Sequence, residues 1–415
     1  MGVEARQPIV IGTDPDGARR RNQWIDVLRG LAIISVMIWH GYTPSLMSWY
    51  PWSANILRLG WAGVDLFFVV SGFLIGGILI ANRTSPNYFK AFYGRRFFRI
   101  APLYCLAVVF AAWSGSKEPL WALLTFTQNI LWASEGRFGD AWVGVTWSLA
   151  VEEQFYVIAP LLILLVPPRA LPWVLVPLVV TAPALRFSLA SLNGWPFPSL
   201  YHGAYLMLPT RMDGLFLGVL AACALHAQAS RQWLSDHRSS VRTAAVVLVA
   251  GCAAMSLGGL GVAHRPMLIL GYTWIALTAT ALVLLAATTA RAMPRIFRPL
   301  ELAGLACFSL YLFHIPVGVT LLYSAPSFWR DLPLHPLPFW LSRTVVLVLL
   351  AYLAWRFVEA PCIAFAHRIF PYRPSSVPVE VKLPAVVRHR HTHRPEPPVP
   401  TARVPAHAAG THRDE

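Results

Sequence analysis

Arg29 and His40 stand eleven residues apart in one apolar run, RGLAIISVMIWH. Eleven residues make almost three turns of α-helix at about 3.6 per turn, so both side chains fall on one face, about 16 Å apart along the axis. Arginine keeps its proton, whereas histidine exchanges one near neutral pH. The pair reads as an anion-binding group and a general base on a single helical rail. The competing reading is a snorkelling arginine paired to Asp26, together with an interfacial histidine.

Further along, YGRRFFRIAP carries Arg95, Arg96 and Arg99 in a loop ahead of an apolar run. Arg96 and Arg99 are three apart and share a helical face. Guanidinium forks match phosphate oxygens bidentately, so this cluster suits a phosphate-bearing donor such as coenzyme A. In TWSLAVEEQFYVIAP, Glu152 lies on one face with Phe155 and Tyr156. Its carboxylate could orient His40 or position an acceptor hydroxyl; a carboxylate stabilised by the helix dipole is the alternative. Asp65 and Arg211 are candidate substrate-binding groups inside apolar runs, and Asp65 could instead cap its helix or pair with an arginine. His314, in SLYLFHIP, joins His40 and Glu152 as a candidate catalytic residue. Glu359, in WRFVEAP, is a lesser candidate of the same kind, with topological anchoring as the alternative. The five cysteines lie in or beside apolar segments without metal-ligand spacing, and no metal site is expected.

The elements that must carry these groups are membrane helices. The chain is 56% hydrophobic and 13% charged, with mean hydropathy +0.53, against about 25% charge in a soluble domain. Lipid must therefore be the solvent for much of its surface. The net charge of +15 lies mostly between apolar runs, which suits orientation in a bilayer rather than binding to nucleic acid. Eleven apolar runs lie between residues 27 and 358, and each crossing needs about 20 residues. If the short run 119–133 is a re-entrant or interfacial piece, every basic cluster falls on the side of the N-terminus. The expected fold is thus an all-α, polytopic transmembrane bundle of about ten spans with both termini cytoplasmic. Residues 1–23 form an N-terminal segment without a cleavable signal, 24–370 the membrane domain, and 371–415 a disordered tail rich in Pro, His and Arg. Loops near 43–59, 191–205 and 324–338 carry Trp, Tyr and Pro and could shape an acceptor pocket.

Six segments, DVLRGLAIISVMIWH, GVDLFFVVSGFLI, YGRRFFRIAPLY, WSLAVEEQFY, SLYLFHIP and WRFVEAP, occur in an order that resembles the acyltransferase-3 family of membrane-bound O-acyltransferases. The resemblance covers roughly residues 24–362. It implies about ten helices, acyl-CoA (usually acetyl-CoA) as co-substrate with no bound cofactor, and a carbohydrate hydroxyl as the common acceptor. The family's arginine–histidine pair falls on Arg29 and His40, its paired arginines on Arg96 and Arg99, and its WSL carboxylate on Glu152. Many members that modify cell-wall polymers carry a fused extracytoplasmic hydrolase-like domain, where this chain has only its tail. Standalone members act on lipopolysaccharide or exopolysaccharide sugars, symbiotic oligosaccharides or macrolides. The expectation is a multi-pass protein of the plasma or inner membrane, free to form homo-oligomers, that acylates a carbohydrate, glycoside or macrolide. A transporter or flippase without covalent chemistry is the competing class.

Overall fold

The computed structural model describes residues 22–41, 50–290, 292–324 and 337–374. Most of the N-terminal segment, the tail from residue 375 and much of the loops near 43–59 and 324–338 lie outside the described residues. The long helices are α1 (Gln23–Gly41), α2 (Gly63–Ala81), α3 (Tyr88–Trp113), α4 (Trp147–Leu165) and α5 (Leu171–Ser191). They continue as α6 (Leu208–His226), α7 (Arg238–Leu257), α8 (Tyr272–Ala287), α9 (Cys307–Ser324) and α10 (Leu337–Ala354). Among the described residues nine helical segments are long and apolar enough to cross a membrane. A bent pair, Arg295–Leu305 followed by Cys307–Leu321 with 72° between its limbs, is apolar enough when taken together and makes up to ten if it is one broken span rather than a re-entrant loop. No strand occurs among the described residues. Helices satisfy their backbone within themselves, which a hydrocarbon environment demands.

Run 119–133 holds no helix long enough to cross a membrane. It forms two short helices, Leu120–Leu124 and Gln128–Glu135. Glu118 anchors this excursion by accepting from Arg137 Nη1 at 2.6 Å, Trp132 Nε1 at 2.7 Å and the Asp140 amide at 3.0 Å. Burial alone would raise the Glu118 carboxyl, but the hydrogen bonds from Arg137, Trp132 and Asp140 outweigh it and hold the group below the usual carboxylate range.

The YGRRFFRI segment departs from its expected form. The helix was open to extension back through FFRI only, with the rest expected as a loop; the segment is helical throughout and belongs to α3. Gly94, its one weak helix former, faces the Phe370 ring, and a Cβ there would press on that ring. The opening of α3 is also tied to the chain's C-terminal side: Asn87 Nδ2 donates to the Pro371 carbonyl at 2.8 Å.

Helix α6 is the most enclosed crossing. It packs along α2 through glycines: a Cβ on Gly72 would land on the Leu215 carbonyl, and one on Gly218 on the Val69 carbonyl. Two buried ion pairs flank this seam. Arg211 of α6 donates to Asp65 of α2 at 2.8 Å, and Arg186 of α5 to Asp213 of α6 at 2.9 Å. Thr273 donates to the same Asp213 oxygen at 2.7 Å.

Candidate active site

Helices α1, α2, α3, α4 and α9 enclose a cavity of about 240 Å³. Its polar lining is strongly cationic: Arg29, Arg95, Arg96 and Arg99 face one carboxylate, Glu152. Positions 95, 96 and 99 lie within one turn of α3, which presents all three guanidinium groups to the same space. They are not equivalent. Arg95 Nε donates to the Phe370 carbonyl at 2.7 Å, and the guanidinium lies over the Tyr372 ring at 4.8 Å. Arg29 is held by Asp26 at 3.2 Å and by Cys307 Sγ at 3.0 Å. Arg96 rests over Tyr156 at 5.6 Å and Phe92 at 5.9 Å, with no hydrogen bond or ion pair among the described residues. Arg99 likewise makes none among them. Two guanidinium groups therefore keep their donors for whatever enters.

The carboxylate wall is ordered by its neighbours. Tyr156 donates to Glu152 Oε2 at 3.1 Å and lies 2.9 Å from Ser71 Oγ. Glu152 thus stays on the cavity wall, and no hydrogen bond joins it to His40 among the described residues. The group that meets His40 is His314, Nε2 to Nδ1 at 3.2 Å, with ring centroids 5.1 Å apart.

The tautomers follow from the partners. His314 Nδ1 lies 2.6 Å from the Tyr311 carbonyl, which can only accept, so Nδ1 carries the hydrogen. In a neutral ring that leaves His314 Nε2 as an acceptor. His40 Nδ1 then supplies the hydrogen, shared with the Val36 carbonyl at 3.2 Å. His40 Nε2 is consequently the bare nitrogen of the pair. His314 is fully buried and His40 is exposed, so the basic nitrogen sits on the accessible partner.

Neither histidine lines the cavity. The cavity does reach Tyr311, whose hydroxyl lies 2.7 Å from Ser148 Oγ and donates to the Val145 carbonyl at 2.9 Å. The backbone of that same tyrosine receives His314. One turn of α9 therefore separates the cavity from the histidine pair. Asp65 and Arg211 lie outside the cavity and are joined to each other, with Arg211 packed over the Tyr272 ring at 4.2 Å. Arg186, Arg343 and the Ser148–Tyr311 contact went unremarked in the sequence; both arginines were visible there as charges within apolar runs. Glu359 is buried and accepts from Ser309 at 2.9 Å. No group of three His, Cys, Asp or Glu side chains among the described residues could hold a metal ion.

A family model described as "Acyltransferase domain" matches residues 22–356. The peptidoglycan O-acetyltransferase OatA of Listeria monocytogenes is 26% identical over 380 residues, covering 81% of this chain and 55% of its own length. The O-acetyltransferase OatA of Staphylococcus aureus is 25% identical over 371 residues, covering 84% and 58%. The putative peptidoglycan O-acetyltransferase YrhL of Bacillus subtilis is 26% identical over 395 residues, covering 84% and 57%. The chain thus spans just over half the length of these relatives. No solved structure matches it.

Proposed function

The chain belongs to the acyltransferase-3 family of membrane-bound O-acyltransferases, and from that premise we propose that it moves an acetyl group from acetyl-CoA to a carbohydrate hydroxyl. The observation that carries the donor is the pair of uncommitted guanidinium groups, Arg96 and Arg99, on a cavity whose lining is cationic. Such donors fit the phosphates of a carrier bidentately. A volume of about 240 Å³ falls below the about 300–1,000 Å³ that buries a drug-sized ligand whole. It suits the slender thioester arm, while the nucleotide stays at the mouth near Arg95. In the orientation that the basic clusters favour, that mouth faces the cytoplasm of a plasma-membrane protein.

His40 Nε2 takes the proton of the acceptor hydroxyl as its oxygen attacks the thioester carbonyl. The tetrahedral intermediate collapses with loss of the coenzyme A thiolate, which recovers that proton from His40. His314 fixes the tautomer that makes this possible. Glu152 and Tyr156 hold the thioester arm along the cavity. For the thioester to meet the histidines, the Ser148–Tyr311 contact must open. The names of the relatives make a peptidoglycan glycan the first acceptor to test, with other glycosides and macrolides after it.

Detergent-solubilised protein is incubated with acetyl-labelled acetyl-CoA and muramic-acid glycan fragments. Label should move to the glycan. General-base assistance is worth about 10²–10⁴ in rate, so His40→Ala should reduce transfer to background while the protein still folds. Near-normal transfer by that variant would remove His40 from the mechanism. Label that stays on coenzyme A with every acceptor would return the chain to the transporter class.

A further inference from the structure

Arg343 is a charge set in the apolar helix α10, in LSRTVVLVLL. Its guanidinium does not leave the bundle. Nη2 donates to the His314 carbonyl at 2.8 Å. The space it occupies is made by two glycines. A Cβ on Gly41 would stand 2.8 Å from Nη1, and one on Gly318 would stand 2.7 Å from Cζ and Nε. Gly41 follows His40 directly, and Gly318 lies one turn beyond His314. Both histidine-bearing helices therefore lack a side chain where one guanidinium sits.

A cavity lined by Met37, His314, Arg343, Thr344 and Leu347 holds about 10 Å³. That is room for about one water molecule and for no sugar or thioester. A role in gripping substrate is thereby disfavoured, and a role exerted through the histidines is favoured. We infer that Arg343, seated between Gly41 and Gly318, is the positioning residue of the histidine pair: it clamps the His314 turn of α9 against the end of α1 so that His40 Nε2 stays bare and aimed. This rests on the acyltransferase reading above and adds to it a residue that the reading does not require.

The test measures coenzyme A release from acetyl-CoA by the solubilised full chain, with and without the muramic-acid fragments. A misplacement of about 1 Å at the reacting groups can cost about 100-fold. Arg343→Ala should lower kcat by that factor and leave KM for acetyl-CoA within about twofold, and Arg343→Lys should recover part of the loss. Gly318→Ala, which intrudes on the same slot, should mimic Arg343→Ala. Because both changes break one arrangement, the double variant should be no slower than the slower single. Should Arg343→Ala fail to fold, Gly318→Ala and Arg343→Lys carry the measurement. Wild-type kcat in a folded Arg343→Ala or Gly318→Ala protein overturns the inference. So does a double variant whose loss is the product of the singles, or an equal rise in KM. If wild type itself releases no coenzyme A, the acyltransferase reading fails first, and that result is distinct from active wild type with indifferent variants.

Discussion

Four arginines line the cavity, and what each touches divides their work. Arg29 and Arg95 are already held, by Asp26 with Cys307 and by the Phe370 carbonyl. Arg96 and Arg99 have no hydrogen bond or ion pair among the described residues. A hydrogen bond to a charged partner contributes about 1.5–3 kcal/mol, so Arg96→Ala or Arg99→Ala should raise KM for acetyl-CoA by about tenfold or more. Their effect on kcat should be small, and added salt should weaken donor binding further. Steady-state kinetics at two ionic strengths reads both; an unchanged KM in either variant would detach that arginine from the donor. These residues were legible in the sequence because a charge inside or beside an apolar run is costly and needs a reason. The His40–His314 contact was not, because its partners lie 274 residues apart and only the packing of α1 on α9 joins them. Glu152 instead meets Tyr156, four residues on along the same helix, a contact its one-face spacing already allowed.

At the scale of elements, the excursion between α3 and α4 hangs on Glu118. Its carboxyl is held below the usual range, so its contribution is fully present above the ordinary value of about 4.3. It is lost as pH falls through the depressed folded value, where the protonated group no longer pairs with Arg137. Glu118→Gln at neutral pH should reproduce the acid effect. Hydrogen exchange across residues 114–143 should quicken in both cases while the long helices stay protected; unchanged exchange in the variant would relieve Glu118 of this duty. That this segment forms no long spanning helix was legible from its shortness and from its flanking Gly, Ser and charged residues. The YGRR part of that helix was misjudged because basic residues next to an apolar run look like a loop until Phe370 and Tyr372 are seen packed against the segment.

Across the whole molecule, Asp65–Arg211 and Arg186–Asp213 tie α2, α5 and α6 at the centre of the bundle. Removing one member of a buried pair costs about 3–5 kcal/mol because the survivor is left charged and unpartnered. Asp65→Ala or Arg211→Ala should therefore lower the unfolding temperature in detergent sharply, and Asp65→Leu with Arg211→Leu should cost less than either. Single variants as stable as wild type would show that the pair is not a fastening. The bundle of about ten crossings was legible from hydropathy alone; which buried charges fasten it and which serve chemistry was not, since both kinds look alike in a linear chain. Helix α1 carries one last consequence. Arg29, on the cavity wall, and His40 belong to the same rigid rod, so the interval from that wall to the base cannot be adjusted, and under the proposed mechanism the protein gauges its donor by length: an arm clipped short would fill the cavity and still fall short of the histidine.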